Sequence, residues 1–446
     1  MQRQPADFLV HRRGDGGIAM KKFGLIALLA LAGCAAPATG SQTTTEQTPS
    51  NETASANSRT LSGTVEEPVV IDSEGDVTVT LEDADVDSIM IQNAKSATIV
   101  LKGDSIVRSA TGGSSSEEDA KAAIYADCPL VLKGEGSLTI EGAADHGVFS
   151  KDTITIESGT YAISCANDGI KGKDGVTIQN GAINVESGDH AIASTKNKDG
   201  ELGSISIEGG TLTLNAQGDG LHATGPVVVN GGTLTIDSAQ EGIEGQTVAI
   251  HGGNTTITAA DDGINASDPD GKDTDGMDPF SQSSSDCLIE ITGGQTSVTA
   301  NGDGLDSNGS LRVSGGTTFV YGPESGGDFA LDFDQEGTFT GGTLVASGYA
   351  GMVETLDSEF PSLMAGLPQS AGSNVQIEQN GKSLLSFTPT HAFEVLLVYD
   401  GQFQTGDSLS VLGESVTLSQ GVNTIGNVQE GPGPQGGFGN PQPPRR

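Results

Sequence analysis

The residues with the clearest chemical potential are acidic side chains that recur at regular intervals. Four of them precede a small residue and a branched aliphatic residue, at steps of 22, 21 and 41 residues. This first column contains Asp219, Glu241, Asp262 and Asp303. A second column, three positions further on, contains Glu244, Asn265, Asp306 and Asp332. One more acid, Asp261, adjoins the first column at Asp262.

Stacked carboxylates of this kind favour a bound cation. Like charges one repeat apart repel by roughly 1 kcal/mol in water and by about 3 kcal/mol at an effective dielectric constant near 20. Because the donors are oxygens, with no cysteine or histidine among them, the pattern indicates Ca²⁺ rather than Zn²⁺. The alternative is that Asp-Gly is simply a common corner and that each carboxylate is solvated.

An insertion within residues 267–286 directly follows the second-column residue Asn265 and adds further acids. Its aspartates alternate with Gly271 and Gly276, a spacing that resembles calcium loops but lacks the closing glutamate. We expect this loop to fold over the acidic columns with an ion bound, although a solubilising excursion is the alternative. The aspartates are Asp268, Asp270, Asp273, Asp275 and Asp278.

Histidines and basic residues suggest two weaker sites. His146 and His190 lie in the first column on either side of Asp168, and two histidines around a carboxylate could hold a transition metal, with exposed corners as the simpler interpretation. A polysaccharide lyase would need a basic residue beside its calcium. The candidate glycan contacts are Lys171, Lys173 and Arg312, but no nucleophile motif or phosphate loop accompanies them, so no catalytic residue is predicted.

A repeat of about 22 residues must position these side chains. A turn such as Gly210-Thr211 or Gly232-Thr233 opens a strand in each repeat and keeps step with the acidic column. Alternating Thr/Ser and Ile/Val/Leu with glycine corners predicts an all-β solenoid, because each repeat can bury its apolar side only against its neighbours. One interior stack is predicted for Ile170, Ile192, Leu221, Ile243, Ile264 and Leu305, and another for Leu212, Leu214, Leu234 and Ile236.

Composition narrows the class of partner. The 446-residue chain has 59 acidic residues against 21 basic ones, a formal net charge of −38 and 65 glycines. Such acidity argues against binding nucleic acid or an anionic membrane surface, and it suits cations. We therefore expect one long domain, with contact to a membrane only through a lipid anchor.

The N-terminal segment has the features of a lipoprotein signal. Lys21 and Lys22 precede a short apolar run, and Leu31-Ala32-Gly33-Cys34 resembles the bacterial lipoprotein box in which the cysteine receives lipid. Met20 is predicted to be the true start. Cys128, Cys165 and Cys287 are predicted to be unpaired thiols.

Seven segments follow from these patterns. They are an upstream extension (1–19), the signal peptide and lipobox (20–34), a Ser/Thr-rich tether (35–60), an N-terminal cap with the first repeats (61–122), the regular coil (123–350), C-terminal repeats with a cap (351–428) and a Pro/Gly-rich tail (429–446).

Several stretches are similar to bacterial extracellular carbohydrate-binding proteins with a polysaccharide-lyase-like β-helix. The resemblance covers about residues 60 to 425 and rests on the motifs at 123–125, 167–173, 302–309, 322–332, 341–344 and 351–352. It implies a right-handed, single-stranded parallel β-helix, bound calcium, and a cellulosic or acidic glycan as the partner.

The composition favours the acidic glycan. Flat glucan is usually gripped by exposed aromatic rings, and this chain has no Trp, 13 Phe and 5 Tyr. The sequence therefore predicts a lipid-anchored protein of the bacterial cell surface that binds a polyuronate such as pectate through calcium, without catalysis. A polysaccharide lyase and a structural adhesin rigidified by calcium are the alternatives, and the oligomeric state is left open.

Overall fold

The computed structural model describes residues 57–108, 122–269, 286–326 and 328–428, all of which lie in one compact unit, Ala54–Arg446. Within these residues the protein is all-β and contains no helix, so none of the described segments is a helix that could cross a membrane. Long sheets with many parallel strands make up the unit, and each repeat of about 22 residues contributes one strand to each of three ladders.

The first ladder is parallel throughout and carries the short strands that follow the acidic corners. Ile170 pairs with Ile192 and Leu221 with Ile243, and the side chains of all four are fully buried. The aliphatic stack predicted from the spacing is therefore present. The strands are Val69–Asp72, Ile89–Gln92, Ala122–Ala126, His146–Ser150, Ile170–Gly172, Ile192–Ser194, Leu221–Ala223, Ile243–Gly245, Ile264–Ala266, Leu305–Ser307 and Leu331–Phe333.

The second ladder is also parallel and follows the first in each repeat. Its strands alternate exposed and buried positions, as in Thr153–Ile156, so one side of each strand packs into the core. The strands are Ser96–Lys102, Leu130–Gly134, Thr153–Ile156, Gly175–Ile178, Ser204–Ile207, Pro226–Val229, Thr247–Ile250, Leu288–Ile291, Ser310–Val313, Gly337–Phe339 and Asp357–Ser358.

The third ladder holds the strands that open after the Gly-Thr turns. Leu212 pairs with Leu234 and Leu214 with Ile236, which confirms the second predicted stack. The strands are Asp104–Val107, Ser137–Ala143, Thr160–Cys165, Ala182–Ser187, Thr211–Ala216, Thr233–Ala239, Asn254–Ala259, Gln295–Ala300, Thr317–Tyr321 and Thr343–Gly348. At the start of the chain, Ser58–Val65 and Asp76–Val86 pair in parallel, and Asp76–Val86 pairs onward with both the second and the third ladder.

Glycine is required where the repeats stack most closely. Gly232 has φ of +83°, a left-handed conformation that favours glycine, and a Cβ there would lie 2.7 Å from the carbonyl oxygen of Gly210 one repeat earlier. Gly253 repeats this arrangement on Gly232. The turns can therefore superpose only because these positions lack a side chain.

Two insertions interrupt the repeat. The shorter one contains a small antiparallel hairpin of Asn197–Lys198 and Glu201–Leu202. The longer one lies mostly in residues 270–285, outside the described residues, and so do the aspartates predicted there from Asp270 to Asp278. Cys128 and Cys165 form no disulfide within the described part of the chain, in agreement with the prediction for these two thiols.

The C-terminal part changes the direction of pairing, so the sheets are mixed. Val395–Asp400 runs antiparallel to Thr343–Gly348 and covers the end of the third ladder. It also pairs antiparallel with Ser362–Gly366, which in turn pairs in parallel with Val422–Gly426. A separate four-stranded antiparallel sheet consists of Val375–Gln379, Lys382–Phe387, Ser408–Val411 and Glu414–Thr417.

One contiguous apolar core links the three ladders, and a second one fills the C-terminal part. Each buried isoleucine or leucine contributes roughly 1.5–3 kcal/mol to folding. Because the aliphatic positions recur every repeat, this core fixes the register and thereby the positions of the acidic corners that precede four strands of the first ladder.

Candidate functional site

The first acidic column stands two residues before successive strands of the first ladder. Backbone hydrogen bonds join the corners, for example from the N–H of Gly242 to the carbonyl of Asp262 and from Gly263 to Asp303. A Cβ at Gly242 would lie 2.3 Å from the carbonyl oxygen of Gly263, which explains the small residue after each acid. Asp219, Glu241, Asp262 and Asp303 therefore stack in consecutive repeats, in the order that the spacing predicted.

The second column occupies the central position of the three-residue strands. Glu244 pairs with Asn265, Asn265 with Asp306, and Asp306 with Asp332. In Ile243–Gly245 the flanking residues are buried and Glu244 is partly exposed, so the middle side chain faces outward. The two predicted columns thus lie side by side along the edge where the first ladder begins, and we call them together the acidic face.

The three aspartates of the first column also support the next repeat. Asp262 Oδ1 accepts a hydrogen bond from the backbone N–H of Asp303 at 2.8 Å, and Asp303 Oδ1 accepts one from Phe329 at 2.8 Å. Asp219 Oδ1 accepts one from Glu241 at 3.1 Å. Since Oδ1 of Asp262 and of Asp303 is engaged in this way, Oδ2 of each is left as the main donor for a ligand.

Electrostatic strain accumulates toward the C-terminal half of the acidic face. Burial, followed by the charge of Glu244, raises the pKa of Glu241 to about 8, and burial with a smaller effect of Asp332 raises that of Asp303 to about 8. Burial and the neighbouring Asp262 raise the pKa of Asp306 to about 7. These half-buried carboxylates lack sufficient compensating positive charge, an arrangement that a cation would relieve.

Asn265 provides an independent sign of a ligand at this face. The residue is 9% exposed, its Nδ2 donates to Glu241 Oε2 at 3.1 Å, and its buried Oδ1 has no hydrogen-bond partner among the described residues. A buried carbonyl oxygen without a partner costs about 1–3 kcal/mol. Its register neighbours are Glu244 and Asp306, so this oxygen belongs to a group of acidic side chains.

The N-terminal end of the acidic face is compensated by histidines. His190 Nδ1 lies 3.1 Å from Asp219 Oδ2, and His222 Nδ1 lies 3.0 Å from the same oxygen and 2.6 Å from Glu244 Oε2. Burial opposes the charge on Asp219, but the neighbouring His190 and His222 prevail and lower its pKa. Burial likewise opposes the charge on His222, whose pKa the two carboxylates raise to about 10.

The two groups of three candidate metal donors within 4.8 Å of one another in the described part of the chain both include His190. One consists of His190, Asp219 and His222, and the other of Asp168, Asp189 and His190. The sequence had suggested His146, Asp168 and His190 together. The structure brings His146 Nδ1 to 3.3 Å from Asp168 but directs His190 toward Asp219.

Sequence reasoning missed His222 and Glu354. His222 lies one 22-residue step before Glu244, and Glu354 lies one such step after Asp332. Burial, with a smaller effect of Asp332, raises the pKa of Glu354 to about 7, and its Oε2 accepts a hydrogen bond from the N–H of Phe333 at 3.3 Å. The step itself was the available signal, but histidine was not sought in the second column and the repeat loosens near residue 354.

The remaining residues predicted for the site do not form a single cluster. Asp261 is exposed beside Asp262 and accepts a hydrogen bond from Gln240 Nε2 at 3.2 Å, and Asp268 is half-buried at the start of the long insertion. Lys171 Nζ is 2.8 Å from Asp168 Oδ2, and Lys173 is exposed. Arg312 lies on the second ladder, paired with Glu290 and Thr338, rather than with the acidic corners. Cys34 lies outside the described residues.

An open groove of about 710 Å³ adjoins the histidine end of the acidic face. It is formed where strands of the third ladder end, one to four residues before the corners that carry Asp189 and Asp219. Hydroxyl, amide and carboxylate groups line it, and such groups can exchange hydrogen bonds with sugar hydroxyls. Its polar lining residues are Ser164, Glu186, Ser187, Asn215, Gln217 and Ser238.

Comparison with known proteins gives one positive result. No curated protein and no solved structure matches the chain. A protein-family model described as carbohydrate-binding domain-containing protein matches residues 51–271 and 225–348, which together span about two thirds of the chain and include the first and second acidic columns. The chain therefore belongs to this family of carbohydrate-binding domain-containing proteins.

Proposed function

We propose that this protein binds an acidic polysaccharide, a polyuronate such as pectate, through calcium held at the acidic face, and that it does so without catalysis. Family membership supports the binding of carbohydrate. The acidic ligand and the calcium are inferred from the charge and geometry of the acidic face.

The buried Oδ1 of Asn265 is the observation that carries the proposal. It lacks a partner among the described residues, although it lies between Glu244 and Asp306 in register and beside Glu241. A hard cation with oxygen ligands would satisfy this carbonyl and offset the charge of the carboxylates in one step. Zn²⁺ fits this part of the face less well, because nitrogen and sulfur donors are missing from the set.

The residues that would hold calcium lie between Asp262 and Asp332 on the two columns. Oδ2 of Asp262 and of Asp303 would contribute from the first column, and Asn265, Asp306 and Asp332 from the second. Since the compact groups of three donors lie at the histidine end, the acidic side chains must converge further around an ion. Bound calcium would supply positive charge to which the carboxylates of a uronate polymer could bridge.

Net charge makes calcium a requirement rather than an addition. A chain of formal net charge −38 repels a polyuronate at long range, most strongly at low ionic strength. The polar groove beside the acidic face would receive sugar hydroxyls, with Asn215 and Gln217 as amide partners. The glycan would therefore lie across the corners between the third and first ladders.

The parallel ladders support a right-handed β-helix as the scaffold for this surface. Each repeat returns to a strand parallel to its predecessor, and parallel crossovers are right-handed in about 98% of cases. Successive corners would then present the acidic face as a straight row, which suits an extended polymer.

Binding without cleavage is supported by the placement of the basic candidates. Lys171 is ion-paired with the buried Asp168, and Arg312 lies on the second ladder. A lyase base would have to stand beside the calcium and the substrate. We further propose that lipidation of Cys34 anchors the protein at the bacterial cell surface.

Electrophoresis in a gel containing polygalacturonate, with calcium or with chelator, tests the proposal. The unaltered protein should be retarded in the gel with calcium and not in the gel with chelator. Asp306→Asn should reduce this retardation, whereas Glu290→Gln, which removes one negative charge from the second ladder instead, should leave it unchanged. Equal mobility in all gels would refute polyuronate binding, and equal retardation in chelator would refute the calcium bridge. A higher unfolding temperature in calcium without retardation would favour the structural adhesin.

A further inference from the structure

The histidine end of the acidic face has donors of a different kind from the rest. His190 precedes a strand of the first ladder, and His222 is the middle residue of the next strand, Leu221–Ala223. Their rings stack with centroids 4.2 Å apart and an interplanar angle of 13°. The repeat thus brings two imidazoles together over one buried carboxylate, Asp219, which is 7% exposed.

Three donor atoms lie within 4.8 Å of one another here, and a carboxylate oxygen of Glu244 lies beside one of them. The Nδ1 atoms of His190 and His222 lie 3.1 and 3.0 Å from Asp219 Oδ2, and Glu244 Oε2 lies 2.6 Å from His222 Nδ1. Donors around a tetrahedral metal with bonds near 2.0–2.1 Å are separated by about 3.3 Å. The two imidazole nitrogens would therefore need to move from Asp219 Oδ2 by only about 0.2–0.3 Å to surround a metal ion with it, and Glu244 Oε2 would need to move from His222 Nδ1 by about 0.7 Å.

The hydrogen bonding of His190 favours this reading over a simple ion pair. Its Nδ1 lies 3.0 Å from the backbone N–H of Asp219, which can donate only to an unprotonated nitrogen. In that tautomer the 3.1 Å contact with Asp219 Oδ2 joins two lone pairs, and the opposite nitrogen, Nε2, faces Asp189 Oδ1 at 3.6 Å. A carboxylate that accepts the distal N–H is the usual support of a metal-bound histidine, and Asp189 would have to approach from 3.6 Å to hydrogen-bond distance to provide it.

We propose that His190, Asp219 and His222, with Glu244 as a fourth donor, form a site for a divalent transition metal such as Zn²⁺, separate from the calcium-binding part of the acidic face. Imidazole and carboxylate donors suit zinc, nickel and copper, whereas calcium takes oxygen. Binding would turn the Nδ1 lone pair of His190 to the metal and release the hydrogen bond that it accepts from the N–H of Asp219. The site would join three consecutive repeats, and it does not depend on glycan binding.

Equilibrium dialysis of the untagged full chain against Zn²⁺ in a large excess of Ca²⁺ tests this site. One tightly bound zinc per chain is expected. His190→Gln and His222→Gln should each weaken zinc binding by more than about tenfold. His251→Gln should leave it unchanged, because His251 is exposed and contacts Thr292 instead.

Zinc-edge X-ray absorption of the unaltered protein provides a second readout that requires no folded variant. Two imidazoles and carboxylate oxygens around the zinc would support the proposal. An all-oxygen shell, zinc displaced by calcium, or undiminished binding in a folded His222→Gln protein would overturn it. Polygalacturonate retardation is measured separately, so failure of this site and failure of the proposed function are distinguishable.

Discussion

Replacing Asp303 with asparagine should stabilise the calcium-depleted protein at pH 8 relative to the unaltered chain. Burial, with smaller effects of Asp332 and Asp262, raises the pKa of Asp303 from 3.8 to about 8. Asparagine is nearly isosteric, and its side-chain oxygen can still accept the hydrogen bond that Asp303 Oδ1 receives from the N–H of Phe329. The substitution therefore removes the charge and keeps the contact.

The direction follows from proton binding. The unfolded chain releases the Asp303 proton near pH 4, whereas the folded chain keeps it to about pH 8. Between these values the folded state binds more protons, so the free energy of unfolding falls as the pH rises. A shift of this size corresponds to at most about 6 kcal/mol at 1.4 kcal/mol per pKa unit, and solvent screening and sharing among the acids reduce it to about 2–3 kcal/mol.

Urea unfolding followed by circular dichroism, in chelator at pH 5 and pH 8, measures this effect. The unaltered protein should lose stability between the two values, and Asp303→Asn should lose about 2–3 kcal/mol less. Glu290→Gln controls for the general reduction of net charge. A stability that rises with pH in the unaltered protein, or an Asp303→Asn protein that loses as much as the control, would refute the reasoning.

Three further perturbations follow from the fold and the sequence. Gly232→Ala should destabilise the protein by about 2–4 kcal/mol, because its Cβ would lie 2.7 Å from a backbone carbonyl oxygen. Gly200→Ala, at φ of +80° with no atom within 4 Å of the added Cβ, should cost only about 1 kcal/mol. Urea unfolding of both variants measures the difference. Lys171→Met should cost about 3 kcal/mol above pH 4, because it removes the lysine 2.8 Å from the buried Asp168 and leaves that carboxylate with only His146 Nδ1, at 3.3 Å, of the two; equal stability of both proteins in urea would contradict this. Cys34→Ser should abolish incorporation of a labelled fatty acid during expression in a bacterium, and labelling that persists would exclude this cysteine as the acceptor.

Much of the fold could be predicted because spacing determines register in a repeat. The step of 22 residues between Ile170 and Ile192 is the step between paired strands, and the 29-residue step from Ile192 to Leu221 accommodates the hairpin. The position of the acids relative to the strands followed from the same count. The C-terminal pairing could not be predicted, because an antiparallel strand such as Val395–Asp400 has the same alternating pattern as a parallel one.

The positions of the acidic side chains could be predicted from the spacing, but their different electrostatic environments could not. Spacing placed Asp219 and Asp303 in one column. It could not reveal that His190 and His222 lower the pKa of Asp219, whereas the pKa of Asp303 is raised to about 8. That difference depends on burial and on distances near 3 Å between side chains. The missing hydrogen-bond partner of Asn265 Oδ1 also depends on how the folded chain packs, so the residue type alone could not predict it.

Calorimetric titration with a matched pair of polymers tests the central claim most directly. Polygalacturonate and the same polymer with its carboxyl groups reduced to alcohols are each titrated into the protein, with calcium and with chelator. Of these four titrations, only that of polygalacturonate in the presence of calcium is expected to show binding. Equal binding of the reduced polymer, or binding that persists in chelator, would contradict a calcium bridge between the acidic face and an acidic glycan.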